Sequence, residues 1–173
     1  MDKSSAFDDT GTFVDPTVYR HALGSFVSGV TVLTTRAGNA PVGTTVSAFS
    51  ALSLVPPLVL VSLAVKSETL AHIKRAGFFA VNILSAGQGN IARKFATTEG
   101  AAKFGGIEYG HGENGAPIFT GVSASLECDL DDCFRGGDHD ILVGFVRAAR
   151  VAPVLAPLVY YRGGFAGLTE ENS

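Results

Sequence analysis

The sequence predicts one small, strand-rich barrel or sandwich with a few short helices. Glycine supplies 21 of the 173 residues, about 12% against an average usage of roughly 7%, which predicts many tight turns. Short apolar runs rich in valine and threonine lie between these glycines, and the chain contains no tryptophan. A length of 173 residues suits a single domain with one core.

The first elements are a capped helix and a hairpin. Asp15 has the residue type of an N-cap and Pro16 suits the first helical position, so a helix is expected through residues 19–26, ending near Gly29. Residues 30–35 and 42–49 are rich in β-branched residues, and Gly38 and Asn39 supply a turn between these two strands. Residues 1–14 are polar and aperiodic, which predicts a mobile tail.

The central part of the sequence alternates strands and helices. Residues 58–65 are continuously apolar, which predicts a strand covered on both faces. Ser67 can cap a short helix that Gly77 would end, and a strand follows over residues 78–84. A further helix is predicted over residues 88–95.

The last third predicts a loop and then long strands. The glycine-rich residues 100–115 are expected to form a loop, with a short edge strand at 116–119. Two long strands, 122–130 and 141–151, are separated by a polar segment, and residues 158–161 are expected to close the sheet. The single domain is therefore predicted over residues 15–168, followed by a tail at 169–173.

Charge and hydropathy exclude two classes of protein. Thirteen basic and sixteen acidic side chains give a formal charge of -3, too balanced for binding nucleic acid through bulk charge. The mean hydropathy is high, at +0.29, yet the longest apolar stretch, residues 55–65, contains two prolines and is shorter than the roughly 20 residues of a membrane-spanning helix. The start of the chain lacks the pattern of a secretory signal, and we expect a cytoplasmic protein.

One glycine motif suggests a dinucleotide site. Residues 87–92 (GQGNIA) fit the G-x-G-x-x-A pattern after a predicted strand, and Glu108 lies at roughly the spacing of a ribose partner. The fingerprint requires a second parallel strand after the helix, whereas residues 97–115 are glycine-rich and not strand-like. The context favours a plain junction between a loop and a helix.

Two segments offer polar groups to a ligand. Residues 41–53 place several hydroxyls beside apolar side chains, which suits either a flat polar ring or an ordinary half-exposed strand. Lys66, Ser67 and Thr69 stand at the start of a predicted helix, where they form either a phosphate seat or a simple cap. Lys94 and Phe95 are either a further contact for the ligand or a solvated lysine beside a core phenylalanine.

The acidic segment and the cysteines do not indicate a metal site or a hydrolase. Aspartates at 129–140 lack calcium-loop spacing, and Cys128 and Cys133 fit neither a disulfide framework nor a zinc site. No G-x-S-x-G motif is present. His139 follows a glycine turn, where it is either structural or projects an imidazole over a cleft, and Arg162 in the last turn could reach the same cleft.

Taken in order, six segments resemble the flavin reductase domain family, the short reductases that supply reduced flavin to two-component monooxygenases. The segments are residues 26–32 (FVSGVTV), 43–53 with PPLV at 56–59, 79–84 (FAVNIL), 92–95 (ARKF), 136–139 (GGDH) and 160–164 (YYRGG). The resemblance covers about residues 16–167.

The resemblance implies a split β-barrel, a homodimer, that binds FMN or FAD and is reduced by NADH or NADPH. A separate oxygenase component would receive the reduced flavin. The implied catalytic residue is His139, which with Gly137 and Asp138 would place the nicotinamide. The implied flavin-side residues are Val42, Gly43, Thr44, Thr45, Val46, Ser47, Ala48, Ser62, Leu63, Ala64, Lys66, Ser67, Thr69, Lys94, Phe95 and Arg162.

The sequence departs from the family pattern at one point and leaves rival functions open. Ser47 and Ala48 stand where relatives often have Asn or Gln followed by Ser, so backbone amides would contribute more of the contact with the ring edge. Hydride transfer to a flavin needs no protein nucleophile, which agrees with the lack of an acid, base or metal constellation. A flavin-storing barrel without enzymatic activity and an oxidase of a phosphorylated amine are the alternatives.

Overall fold

Seven antiparallel strands form the main sheet of the protein. The computed structural model describes residues 13–152 and 155–168. Its strands are β2 (Thr31–Ala37), β3 (Ala40–Val46), β4 (Phe49–Leu54), β5 (Pro57–Ala64), β6 (Phe78–Ile83), β9 (Ala124–Gly136) and β10 (His139–Val151). They lie side by side in the order β3-β2-β6-β9-β10-β5-β4. The mainly β class predicted from the sequence is confirmed.

Two smaller sheets and three short helices complete the described residues. The first small sheet has the order β1-β11-β12 and contains β1 (Ser28–Gly29), β11 (Val159–Tyr161) and β12 (Gly164–Ala166). The second pairs β7 (Tyr109–His111) with β8 (Pro117–Phe119). The helices are α1 (Pro16–Gly24), α2 (Glu68–Ala76) and α3 (Gly89–Thr97), with 3-10 turns at Ala86–Gln88 and Gly100–Phe104.

The main sheet curls around α2. Val46, at the end of β3 on one side of the sheet, belongs to the same buried cluster as Val61 on β5 near the other side. Leu70 and Ile73 of α2 are buried in that cluster. A second cluster lies under α3, where Phe95 packs against other aromatic rings. The curl brings the ends of β3, β5 and β10 towards one another.

The two predicted N-caps are confirmed. The Asp15 carboxylate accepts hydrogen bonds from the amides of Thr17 and Val18 at 2.8 and 3.1 Å. The Ser67 hydroxyl accepts from the Leu70 amide at 3.3 Å, and Gly77 ends α2 with a left-handed φ of 75°. The predicted end of α1 near Gly29 is wrong, because the helix stops at Gly24 and Ser28–Gly29 pairs with β11 instead.

The predicted burial of both faces of residues 58–65 is wrong. Along β5, Val59, Val61 and Leu63 are buried, whereas the alternate residues are half-buried or exposed. A strand of an antiparallel sheet can carry apolar side chains on both faces and still pack only one face on the core, while the other face borders a groove. That second face is the one that borders the groove described below.

Three further sequence predictions need correction. Residues 131–140 are not a long loop, because β9 and β10 continue through them to a two-residue turn at Gly137 and Asp138. Residues 158–161 do not close the main sheet, because β11 pairs with β1 and β12. Residues 100–115 contain a 3-10 turn and β7 rather than loop alone. The predicted tails fall mostly on residues 1–12 and 169–173, which lie outside the described residues.

Candidate functional site

A long groove, here called the main groove, lies between α1, the main sheet and the turn from β11 to β12. Its volume is about 1010 Å³. Its apolar walls come from four side chains of different strands, Phe49, Leu60, Ile141 and Tyr160. Three serine hydroxyls, those of Ser47, Ser50 and Ser62, stand beside these walls. An apolar slot with a few polar groups is the usual form of a small-molecule site.

The strand pairing explains why β5 and β10 form one wall of the main groove. Ile141 pairs with Ser62, and His139 pairs with Ala64 one step further along the ladder. Side chains two residues apart on a strand share a face, so His139 lies on the same face of the sheet as Ile141. His139 therefore lies on the groove side of the sheet, two residues beyond Ile141, and is not itself one of the residues that line the groove.

The link between β3 and β4 forms the polar edge of the main groove. The Ser62 amide donates to the carbonyl of Ala48 at 3.0 Å, and the Phe49 amide donates to the carbonyl of Ser47 at 3.0 Å. These bonds attach the link to β5 and leave Ser47 and Ala48 exposed along the groove. Both residues were predicted site residues, and the structure places them beside Ser62, a third predicted residue, along the same groove.

A smaller cleft of about 350 Å³ continues the groove beneath α3. Ser47, Tyr160 and Gly163 line both spaces, which makes the two clefts contiguous. Thr45 lines the smaller cleft, and its hydroxyl donates to the Ala92 carbonyl at 2.7 Å. The main groove and this cleft together can accept a ligand longer than one ring system.

Cationic side chains lie around the two clefts. Arg162 lines the main groove from a turn in which its own φ is 47°, and its amide donates to the Gly24 carbonyl at 2.9 Å. Arg20 of α1 lines the main groove as well, and Arg93 of α3 lines the smaller cleft. The Arg93 guanidinium lies 4.9 Å from the centre of the Phe165 ring. These groups can bind the negatively charged part of a ligand.

His139 and Asp138 form a pair at the turn between β9 and β10. The His139 Nδ1 lies 2.8 Å from an Asp138 carboxylate oxygen, and the bond lowers the pKa of the Asp138 carboxyl. The Asp138 carbonyl accepts from the Val65 amide at 3.0 Å, which attaches the turn to the end of β5. Because Nδ1 is held by the carboxylate, Nε2 is the nitrogen left to face a ligand.

Asp140 anchors the other face of the same strand end. Its carboxylate is almost fully buried, accepts a hydrogen bond from Lys74 of α2 at 2.5 Å and forms an ion pair with Arg135 of β9, whose Nε lies 3.0 Å away. The bond to Lys74 lowers the pKa of the Asp140 carboxyl and raises the pKa of the Lys74 ammonium. The first residues of β10, including His139, are therefore fixed to both α2 and β9.

Several predicted site residues have structural roles in the folded chain. The side chains of Val46, Leu63, Thr69 and Phe95 are buried, and the Phe95 ring packs edge-on against Phe104 at 4.8 Å. Phe95 is therefore a core residue, which agrees with the alternative that Lys94 and Phe95 are a lysine beside a core phenylalanine.

The remaining predicted residues lie near the clefts or hold secondary structure. The Lys94 ammonium donates to the Gly105 carbonyl, and the Lys103 ammonium donates to the Gly43 carbonyl at 3.1 Å.

The Ser67 hydroxyl serves as the cap of α2. Val42 and Thr44 are half-buried on β3, Lys66 is exposed before α2, and Gly137 occupies the hairpin turn with a φ of 63°.

Many residues that line the clefts were not predicted as site residues, among them the apolar walls Phe49, Leu60 and Ile141 and the side chains of Arg20, Arg93, Tyr160 and Phe165. Arg93 and Tyr160 lie within segments that carried the family resemblance, so the signal was present. Arg20 carries no such signal, because it reaches the groove from a helix whose position depends on the packing of α1. Within the described residues, no cluster of His, Cys, Asp and Glu suits a metal ion, and no helix is long and apolar enough to span a membrane.

Comparison with known proteins identifies related sequences over most of the chain. Residues 23–169 match the family described as "Flavin reductase like domain". The chain is 37% identical over 160 residues to the flavin-dependent monooxygenase reductase subunit HsaB of Rhodococcus jostii, covering 92% of this chain and 82% of that protein. It is 37% identical to a flavin reductase of Pseudomonas putida, covering 89% of this chain and 91% of that protein.

Solved structures agree with the sequence relatives. Nitrilotriacetate monooxygenase component B from Mycobacterium thermoresistibile superposes with a TM-score of 0.87 at 36% identity, covering 91% of this chain and 88% of that one. The NADH:FAD oxidoreductase SgcE6 of Streptomyces globisporus, in complex with NAD and FAD fragments, gives a TM-score of 0.87 at 33% identity, covering 94% of this chain and all of that one.

Proposed function

Because the chain belongs to the flavin reductase like domain family, we propose that the main groove binds the ring system of FMN or FAD and admits NADH or NADPH beside it. The activity is the reduction of flavin by a nicotinamide nucleotide. The observation that carries the assignment of the site is the apolar groove of about 1010 Å³ that Ser47 and Ser62 border, with His139 two residues beyond Ile141 on β10.

The groove residues fit a flavin. A flat ring system needs apolar walls and polar groups at its edge, which Leu60, Ile141 and the serine hydroxyls provide. Arg162 and Arg93 can neutralise a phosphate group on the ribityl side. The bound flavin supplies the atom that accepts the hydride, so the protein contributes binding, orientation and electrostatics.

The chain's own residues then have three tasks. The walls of the groove hold two flat rings in contact and exclude water, which supplies proximity and orientation. The serine hydroxyls and neighbouring backbone groups can donate hydrogen bonds to the ring edge as negative charge develops there. His139, held by Asp138 through Nδ1, keeps Nε2 available on the groove side of the sheet to orient the nicotinamide.

Three further parts of the proposal concern the protein as a whole. The reduced flavin leaves for a separate oxygenase component, as the names of relatives such as HsaB suggest. The main sheet forms a split barrel, supported by the shared core of β3 and β5. The chain acts as a homodimer, which the exposed apolar side chains of α1 support. It works in the cytoplasm, where cysteines stay reduced, which the free thiols of Cys128 and Cys133 support.

Steady-state oxidation of NADH and NADPH with FMN and with FAD tests the activity. Purified protein is expected to turn over many equivalents of nucleotide with at least one pairing. A flavin-storing barrel would bind flavin and leave the nucleotide unoxidised, so the absence of turnover with all four pairings would overturn the proposal.

His139→Ala tests the site. The variant is expected to raise the KM for the nicotinamide nucleotide about tenfold, equivalent to ~1.4 kcal/mol, with an unchanged Kd for flavin. The control is His111→Ala, since His111 is an exposed histidine on β7, in a different sheet from β5 and β10. Equal kinetics in both variants would remove His139 from the nicotinamide site.

A further inference from the structure

The smaller cleft beneath α3 is a second binding space beside the one that the flavin ring needs. Its volume is about 350 Å³, against about 1010 Å³ for the main groove, and small-molecule sites in general measure roughly 300–1,000 Å³. The main groove is therefore large enough for the flavin ring by itself, and the smaller cleft is large enough for another group. Ser47, Tyr160 and Gly163 line both spaces, so the two groups can belong to one molecule.

The walls of the smaller cleft suit a nucleoside. Ala92, Ala96 and the ring of Phe165 give it apolar surface, and Thr45 and Thr97 line it as well. The two threonine hydroxyls donate to carbonyls of α3 at 2.7 and 2.9 Å, so each hydroxyl oxygen keeps lone pairs that can accept a hydrogen bond. Adenosine combines a flat base with amino and hydroxyl groups that donate, which matches this combination of apolar surface and acceptors.

Arg93 is the cationic residue of the smaller cleft. It is exposed, and its guanidinium carbon lies 4.9 Å from the centre of the Phe165 ring, which lines the same cleft. Stacking occupies the flat face of a guanidinium and leaves the N–H groups in its plane free to donate. Among the described residues, no acidic side chain lines the smaller cleft or the main groove, although the chain carries a formal charge of -3. The smaller cleft therefore favours a ligand group that carries a phosphate.

We infer that the smaller cleft binds the adenosine monophosphate half of FAD, so that this protein prefers FAD to FMN. The inference rests on the proposed function, because it places the flavin ring of the same molecule in the main groove. FMN ends at the phosphate of its ribityl chain, whereas FAD continues through a second phosphate to adenosine. Arg93 then donates charge-assisted hydrogen bonds to phosphate oxygens of this additional half.

The position of the smaller cleft favours FAD over the nicotinamide nucleotide, which also has an adenosine half. The described residues of β5 and β10 that border this region, Leu60, Ser62 and Ile141 among them, line the main groove and not the smaller cleft. His139, to which the proposed function assigns the nicotinamide, lies on β10 as well. The smaller cleft instead continues the groove at Ser47, the residue that borders the proposed edge of the flavin ring.

Calorimetric titration of the flavin-free protein with FAD and with FMN tests the inference. FAD is expected to bind with a Kd at least tenfold lower than that of FMN. Adenosine monophosphate, which carries the half that FMN lacks, distinguishes the two nucleotides that could supply an adenosine group. It is expected to inhibit flavin reduction competitively against FAD. Inhibition that is not competitive against FAD, whether or not it is competitive against NADH, would overturn the inference.

Ala96→Phe assigns the preference to the smaller cleft. Ala96 is exposed and lines this cleft, so a phenyl ring there occupies the cleft without entering the core. The ratio of the Kd for FMN to the Kd for FAD is expected to fall from ten or more to about one. Ala71→Phe is the matched control, at an exposed alanine of another helix, α2, and should keep the ratio of the parent protein.

The outcomes separate this inference from the proposed function. Equal Kd values for FAD and FMN in the parent protein, or an unchanged ratio in Ala96→Phe, would overturn the inference and leave flavin reduction in place. Failure of NADH and NADPH to reduce either flavin would overturn the proposed function, and the Kd values would still show whether the smaller cleft binds the adenosine half.

Discussion

Gly43 occupies a position on β3 at which a larger side chain has no room. A Cβ there would lie 2.8 Å from the Leu33 carbonyl oxygen and 2.9 Å from the Phe95 ring. Gly43→Ala is therefore expected to lower the free energy of unfolding by about 1–3 kcal/mol through overpacking, measured by urea denaturation. The control is Gly87→Ala, since nothing lies within 4 Å of the added Cβ there. Equal stabilities of the two variants would contradict the close packing.

Cys128 is expected to be chemically inert in the folded protein. Its side chain is fully buried, and burial raises the pKa of the thiol to about 12. At pH 8 only about one thiol in ten thousand is then ionised, and the thiolate is the reactive form. Iodoacetamide at pH 8 is expected to leave Cys128 unmodified and to label it once urea unfolds the chain, as peptide mass spectrometry would show. Rapid labelling of Cys128 in the native protein would contradict the burial.

Single residues show where sequence reasoning succeeds and where it fails. The caps at Asp15 and Ser67 were predictable, because capping depends on residues within one turn. Phe95 was ambiguous, because the choice between core and ligand depends on the distant Phe104 and Phe119, which only the fold brings to it.

At the scale of elements, local composition predicted most strands but misjudged what covers them. The apolar run of β5 suggested burial on both faces, yet one face borders the main groove, so apolar residues there serve a site rather than a core. The hairpin of β9 and β10 extends through acidic residues that indicated a loop. Backbone pairing with β10 holds residues 132–136 as a strand although, of these five residues, only Cys133 packs against the core. Neither outcome is encoded within a window of a few residues.

The ion pairs of Asp140 connect three elements, and Asp140→Asn tests their contribution. The substitution removes the charge that holds α2 and β9 to the start of β10. Lys74 and Arg135 are 43% and 61% exposed and can return to water, so we expect a loss of about 1–3 kcal/mol near neutral pH. Urea denaturation measures it, with Asp129→Asn, at a more exposed ion pair, as the control expected to cost under about 1 kcal/mol.

The pH dependence of this loss follows from the directions of the shifts. The pKa of Asp140 is lowered from 3.8, so its contribution is complete above 3.8 and disappears as the pH falls through the lower folded pKa. The pKa of Lys74 is raised from 10.5, so its contribution is complete below 10.5 and disappears as the pH rises through the higher folded pKa. The difference in stability between the parent protein and Asp140→Asn should therefore be constant at neutral pH and shrink in acid. A difference that grows as the pH falls below 3.8 would contradict the assignment.

At the scale of the whole molecule, the main groove combines segments that are far apart in the sequence. Residues of α1, β5 and β10 and Arg162 meet only after the sheet has curled. The order of the six family-like segments therefore predicted residues of this groove, such as Ser47 and Arg162, where periodicity could not.

The exposed apolar side chains of α1 predict self-association of the whole molecule. Within the described residues α1 has no buried side chain, and Phe13, Val18 and Leu23 are each more than half exposed. A second copy of the chain on this face would remove the apolar area from water, and it would lie beside the main groove, which α1 borders.

Val18→Asp tests that association without altering a groove residue. A carboxylate buried without a partner costs several kcal/mol, so the dimer Kd should rise about 100-fold or more, equivalent to ~2.7 kcal/mol. Light scattering after size-exclusion chromatography over a range of concentrations measures the change. Val151→Asp, at a 79% exposed valine on β10, is the matched control and should leave the dimer intact. A monomeric parent protein, or a Val18→Asp variant that associates as tightly as the control, would show that this face is not where two copies meet.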